Sequence, residues 1–306
     1  TRWPTRPRTR SRRDRPGGRR GAVRGDSLSM RVLRPRNPWE ALSAYAREPK
    51  ALPLAGGTDL MVLWNAGLLN GRCMLDLSRL AEWKKISFTK TGARIGALVT
   101  HARLREHPLL LRHFPLLAQA CAVVGASQIQ NRGTLGGNIA NASPAGDTFP
   151  PLAVYEARVV LATAQGRRTL PLREVFAGVK KTTLAPGELI EAVELPFPPA
   201  APRRQVFRKV GQRRAQTISK TVAAGLLWMR RDGTVSELRF ALGSMAPTVR
   251  RLSAVEAFMR GKKAEAGVVE EAARLIERDV APIDDIRSTA RYRLGVSRNI
   301  LLDFLG

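Results

Sequence analysis

The sequence predicts an α+β fold in two domains, and three observations carry that prediction. Short apolar runs alternate with helix-period stretches and glycine turns through the first two hundred residues. A proline-dense stretch at 196–202, with four prolines in seven residues, then interrupts the chain. Beyond it, two apolar runs flank Asp232-Gly233 ahead of three helical patterns. The expected division is an Arg-rich disordered extension at 1–29, a first domain at 30–200 and a smaller α+β domain at 203–306.

Each element has a local reason. Residues 31–34 read as a short strand. Asn37-Pro38 starts a helix, because proline's missing N–H costs nothing in the first turn, and Trp39, Leu42, Tyr45 and Ala46 follow at helical spacing. A short apolar strand at 51–55 runs into Gly56-Gly57-Thr58-Asp59 and then a helix over 60–69. Residues 74–77 and 93–99 read as buried strands. A helical region over 109–124, interrupted at Pro115, leads into the most glycine-dense loop of the chain, Gly133-Thr134-Leu135-Gly136-Gly137-Asn138. Strands are expected at 159–162 and 189–195, and 221–229 with 235–242 as a hairpin. Helices around 254–259, 265–277 and 291–304 close the chain.

Composition excludes several function classes. The 306 residues are 44% apolar and 25% charged, enough for real cores and too apolar for a wholly disordered chain. No apolar run approaches the ~18 residues of a membrane span. Two cysteines, Cys73 and Cys121, without a CxxC exclude a disulfide scaffold or zinc ribbon and fit a reducing cytoplasm. The ten arginines and two aspartates of residues 1–29 contribute +8 of the +27 net charge. That segment has almost nothing to bury, and no apolar run follows its charges as a secretory signal requires.

Two glycine segments carry the chemistry. A strand ending in Gly56-Gly57-Thr58-Asp59 can aim consecutive N–H groups at one point, an anion nest. Taken alone it is equally a tight strand-to-helix turn. Thr134-Leu135-Gly136-Gly137-Asn138 offers the same nest with a hydroxyl and an amide beside it, followed by Ser143-Pro144-Ala145-Gly146-Asp147. Two such turns can grip both phosphates of a dinucleotide. Asp147 is then spaced to accept hydrogen bonds from a ribose or adenine amine, or to cap a helix over 148–157. Neither segment is GxGxxG, and no GxxxxGK[ST] occurs.

Leu54-Ala55-Gly56-Gly57-Thr58-Asp59, together with the run from Thr134 through Asn138-Ile139-Ala140-Asn141 to Asp147, closely resembles the FAD-binding subunit of molybdenum hydroxylases. That family includes the flavin subunit of bacterial xanthine dehydrogenase and the medium subunit of aerobic carbon monoxide dehydrogenase. Leu75-Asp76-Leu77, Ile95-Gly96-Ala97, Gly243 and Ala246-Pro247 extend the likeness over nearly everything from Met30 onward. The resemblance implies a two-loop (PCMH-type) FAD-binding domain of two α/β subdomains, with the flavin in a cleft between them, capped by the C-terminal region. It implies that Pro53, Leu54, Ala55, Gly56, Gly57, Thr58, Asp59 and Leu60 wrap the FAD pyrophosphate. Thr134, Gly136, Gly137 and Asn138 would form the other half of the clamp, with Gly133, Ala140 and Ala97 in the same set. Asp147 would meet the adenosine end, Val124 would lie beside the isoalloxazine with Gly125 and Ile129 nearby, Ile190 would pack near the ring, and Lys220 would approach it.

The same resemblance implies an oxidoreductase subunit without a catalytic acid or base of its own. Separate iron–sulfur and molybdopterin subunits would complete a heterotrimeric unit, doubled in the full complex, and FAD would pass electrons to NAD or a quinone. Two thiols cannot ligate two [2Fe–2S] clusters, which require about eight. His101, His107 and His113 are six apart, not on one helix face, so packing histidines rather than a metal site are expected. Lys180-Lys181, Arg203-Arg204 and Arg213-Arg214 read mainly as solvated faces, the alternative for the 203–214 cluster being contact with a nucleotide phosphate or a partner subunit. A basic nucleic-acid-binding protein is a competing class, but residues 1–29 lack clustered aromatic platforms and no nucleic-acid partner is expected. A self-contained flavin oxidase is another, without an evident His or Cys beside the loops for covalent attachment.

Overall fold

The computed structural model describes residues 31–213 and 215–306, so the expected disorder of 1–29 lies outside the described residues. The chain opens with β1 (Val32–Leu33), α1 (Pro38–Arg47), β2 (Leu52–Leu54), α2 (Leu60–Asn65) and β3 (Met74–Asp76). These strands form a parallel sheet in the order β1-β3-β2. The start of α1 is locally specified: Asn37 Oδ1 accepts from Glu40 N at 2.9 Å, while Glu40 reaches back to Arg36 N at 2.8 Å. Ala41 and Leu42 of its inner face pack on Leu75, Leu77 and Trp83 in a small core. By contrast, α2 buries none of its residues.

The second lobe is built on β4 (Ile86–Phe88), β5 (Gly92–Gly96), β6 (Arg158–Ala162), β7 (Arg167–Pro171) and, later in the chain, β10 (Leu189–Pro196). They make an antiparallel sheet in the order β4-β5-β10-β6-β7. Between β5 and β6 lie α3 (His101–Glu106), α4 (Pro108–His113), α5 (Pro115–Ala122), α6 (Ser127–Arg132), α7 (Leu135–Asn141) and α8 (Phe149–Val154). The break expected at Pro115 is present, since proline at the first helical position begins a new helix and cannot continue the old one. The expected glycine loop at 133–138 is corrected: residues 135–141 are helical. Thr134 Oγ1 caps this turn by accepting from Gly137 N, and Leu135 and Ile139 bury beneath it. Gly136 is there for close approach, because a Cβ on it would stand 2.6 Å from the Ala97 Cβ. After β7 come α9 (Leu172–Val175) and a ribbon of β8 (Phe176–Gly178) and β9 (Lys181–Thr182).

Beyond the proline stretch, β11 (Arg204–Val210), β12 (Thr221–Met229), β13 (Val235–Gly243) and β14 (Arg250–Arg251) form an antiparallel sheet in that order. The expected hairpin joins β12 to β13. The strand β11 lay within the arginine cluster read as a solvated face; it is an edge strand, where charged side chains are compatible with pairing on one side only. Helices α10 (Ser253–Met259), α11 (Ala266–Arg274) and α12 (Ala290–Leu305) cover the far face. The period-two alternation of β12 sorts its residues between two cores. Ala224, Leu226 and Trp228 join the second-lobe core, while Ala223 and Leu227 join the core under the C-terminal helices. The C-terminal sheet is thus covered on both faces and welded to the second lobe.

Candidate functional site

The two glycine segments meet. A Cβ on Gly56 would stand 1.9 Å from the carbonyl oxygen of Arg132, and one on Gly133 would stand 3.4 Å from Thr58 Oγ1. Between them opens a cleft of about 600 Å³. Pro53, Ala55, Gly56, Gly57, Thr58, Asp59 and Leu60 line one side. Gly133, Thr134, Gly137, Asn138 and Ala140 line the other, with Val124 and Ile129. The lining residues among those described end at Lys180, so the C-terminal region does not cap the cleft directly, contrary to expectation.

The two sides differ in chemistry. The N–H groups of Gly56, Gly57, Thr58 and Asp59 meet no acceptor within hydrogen-bond reach among the described residues. Gly57 holds φ at +78°, a left-handed conformation that glycine tolerates. This side is the expected nest. The second segment is not, which corrects the symmetric reading: Leu135 N donates to Val99 O, Gly136 N to Ala97 O, Gly137 N to Thr134 Oγ1 and Asn138 N to Thr134 O. Its contribution is through side chains. Thr134 Oγ1 accepts from Gly137 N and keeps its own proton free to donate. Asn138 Oδ1 accepts from Thr148 Oγ1 at 2.5 Å, leaving the amide nitrogen to donate. Thr134→Ala is expected to cost ~1 kcal/mol, or about 2–4 °C in Tm, because the cap at Gly137 N is lost; thermal unfolding measures it.

Other expected site residues sit elsewhere. Leu54 lies in β2 opposite Asp76. Ala97 and Gly136 pack against each other beneath the second segment, both buried. Gly125, at φ +52°, packs on Ile129 just behind the wall. Ile190 is buried in β10 as part of the second-lobe core. Lys220 Nζ lies over the Tyr292 ring, 4.8 Å from its centroid. Asp147 caps no helix and does not line the cleft: its Oδ2 accepts from Lys209 Nζ at 2.7 Å and its Oδ1 from Ser219 Oγ at 2.6 Å. Burial pushes its carboxyl above the usual range, and the Lys209 and Ser219 contacts offset only part of that.

Four lining residues were not anticipated, among them Asn141 at the end of α7. His101, the first residue of α3, donates its N–H to Gly133 O, and its ring Nδ1 lies 3.6 Å from the buried Cys121 Sγ. Burial pulls its pKa down to about 4, so it is neutral near pH 7. Leu63 follows from α2. Lys180, at positive φ, places Nζ 2.9 Å from Asn141 Oδ1 and 3.5 Å from Asp59 Oδ1, bringing one cation to the rim. The other two histidines share an aromatic cluster outside the cleft lining, His107 stacked on Phe88 and His113 between Phe88 and Phe197.

This donor set fits a dinucleotide such as FAD. Consecutive open amides, two threonine hydroxyls and a lysine suit a diphosphate, and Leu63, Val124 and Ile129 suit a flat apolar ring. The glycine at 56 is required by the approach of the second segment's backbone, so both halves of the cleft form as one unit.

Comparison with known proteins agrees. The family model described as FAD binding domain in molybdopterin dehydrogenase matches residues 28–198, and that described as CO dehydrogenase flavoprotein C-terminal domain matches 206–306. A putative xanthine dehydrogenase FAD-binding subunit of Escherichia coli K12 is 30% identical over 256 residues, 83% of this chain and 87% of the relative. The carbon monoxide dehydrogenase medium chain of Hydrogenophaga pseudoflava is 30% identical over 80% of this chain and 84% of its own. A solved carbon monoxide dehydrogenase from Hydrogenophaga pseudoflava superposes with a TM-score of 0.84 at 28% identity, covering 90% of this chain and 96% of that one. No helix among the described residues is long and apolar enough to cross a membrane. With the first model spanning more than half of the chain and both relatives aligned over about four-fifths of it, the protein belongs to the FAD-binding subunits of the molybdenum hydroxylases, oxidoreductase subunits that carry FAD.

Proposed function

We propose that this chain is the electron-relaying subunit of an assembly whose iron–sulfur and molybdopterin centres reside on separate chains, with NAD or a quinone as acceptor. When bound, FAD supplies the electron-transfer chemistry that this relay needs. The observation that carries the reading is the meeting of two glycine segments, 76 residues apart in sequence, backbone against backbone around one cleft. Cys73 and Cys121 are too few thiols for an all-thiolate [2Fe–2S] cluster, which takes four, and this supports placing the clusters elsewhere.

In this reading the open amides of Gly56, Gly57, Thr58 and Asp59 hold diphosphate oxygens, with Thr58 and Thr134 hydroxyls and the Asn138 amide as further donors. Pro53, Ala55, Leu60, Gly137 and Ala140 shape the walls. Leu63, Val124 and Ile129 take the ring and exclude water from it. Lys180 adds a screened cation at the mouth. Gly136 and Ala97 act from beneath, by fixing the depth of the second segment.

The test uses the full chain loaded with FAD and kept free of oxygen, followed by visible absorbance. Bleaching of the oxidised flavin by NADH, or return of its absorbance when a quinone is added after reduction by dithionite, is expected, and the reagent that succeeds identifies the acceptor. If FAD stays bound and neither reaction occurs, this chain does not meet the acceptor and the relay reading fails.

A further inference from the structure

We infer that Lys209 is a positioning residue for the cofactor, tethering the C-terminal sheet to the cleft wall at Val123 and Val124. The inference rests on the reading that the cleft holds FAD. It explains how a domain none of whose described residues lines the cleft can govern what binds there.

The wall is the end of α5, where successive carbonyls leave the helix without intrahelical partners. All three are taken by side chains. Gln130 Nε2 donates to Ala122 O at 3.0 Å and to Val124 O at 3.1 Å, and Lys209 Nζ donates to the carbonyl between them, Val123 O, at 2.9 Å. Gln130 is itself buried and held by Arg105, which donates to its Oε1. The next residue, Gly125, turns at positive φ, and a Cβ there would stand 3.0 Å from the Ile129 Cβ. Val124 and Ile129, the two apolar lining residues here, are therefore fixed by one braced backbone segment.

Of the two braces, Gln130 belongs to the same lobe, but Lys209 comes from β11, paired with Val222 of β12. Its second partner is Asp147, and both side chains are only 9% exposed. A buried ion pair is poor evidence for stability, since desolvation opposes its Coulomb attraction. Its geometry here does something else: one ammonium joins three segments, the wall at 123, the loop at 147 and the C-terminal sheet. Without that donor, Val123 O and the Asp147 carboxylate are left buried and short of partners, and the wall must move to solvate them.

FAD affinity, the visible spectrum of bound FAD and Tm are to be measured on the full chain. Lys209→Met is expected to weaken FAD binding about tenfold or more and shift the flavin band, whereas Lys209→Arg keeps a donor and restores most of the affinity. Because Lys209→Met strands a buried carboxylate and could fail to fold, Lys209→Met/Asp147→Asn removes both charges and is expected to fold and still bind FAD weakly. Asp147→Asn alone keeps the tether to Val123 and is expected to bind FAD normally; a loss there equal to the double variant's would overturn the tether in favour of Asp147 itself. Leu238→Ala, in the core on the far face of the C-terminal sheet, is expected to lower Tm without moving the flavin band. Normal FAD affinity and an unshifted band in the Lys209 variants, beside a Gly56→Val variant that has lost FAD, would overturn the inference alone. Normal FAD binding in Gly56→Val would overturn the cleft reading beneath it.

Discussion

Gly56→Val is expected to lose FAD. The added Cβ would stand 1.9 Å from the Arg132 carbonyl oxygen and 2.6 Å from its carbon, and both are backbone atoms with no rotamer by which to retreat. The two segments must separate, and the open amides then no longer face the hydroxyl and amide donors across the cleft. Overpacking of this kind costs about 3 kcal/mol, which corresponds to ~100-fold in affinity if it falls on the bound geometry. The first sheet and the second lobe keep their own cores, so the secondary structure should survive. Retention of visible flavin absorbance through gel filtration, with circular dichroism as the fold control, measures the result. Gly57→Ala makes the contrast: its Cβ would meet the flexible Met61 side chain at 3.2 Å, so only the strain of positive φ is added and the loss is smaller. Wild-type flavin content in Gly56→Val would overturn the reading that this cleft, closed by the contact between the segments, holds FAD.

Acidification from about pH 6.5 to pH 4 is expected to destabilise the protein through His101. Its folded pKa is about 4 against an ordinary value of 6.5, because burial disfavours the imidazolium. Between those values the unfolded chain binds a proton that the folded chain excludes, so stability rises with pH across the window and is lost as pH falls through it. The full effect is about 3 kcal/mol, reached as pH approaches 4. Asp147 acts with the opposite sign, since its raised pKa lets the folded state take up a proton first. The measurement is therefore a difference: denaturant midpoints of the wild type and His101→Met at pH 7 and near pH 4. The wild type should lose more stability than the variant, and parallel profiles would show that His101 is not held neutral.

Some of the architecture was legible because its causes are local. The helix start at Asn37-Pro38, the proline break before α5, and the Asp232-Gly233 hairpin are decided within a few residues, and each stands where the pattern put it. Glycine density at 133–138 misled for the same reason. A helix containing Gly136 and Gly137 is locally unfavourable, and only the seat against Ala97 and the Thr134 cap make it worthwhile. The strand β11 escaped because edge strands tolerate charge and so carry a weak alternation signal.

The residue types of the cleft, the two glycine segments and their backbone freedom, were written into the chain order, because glycine's conformational range needs no partner to be recognised. What only the tertiary structure decided is which donors stay open. The amides of 56–59 are free and those of 135–138 are spent on Val99, Ala97 and Thr134, a division set by neighbours distant in sequence. His101, Lys180 and Lys209 acquire their places in the same way, since a side chain's burial and partners are properties of the packed whole.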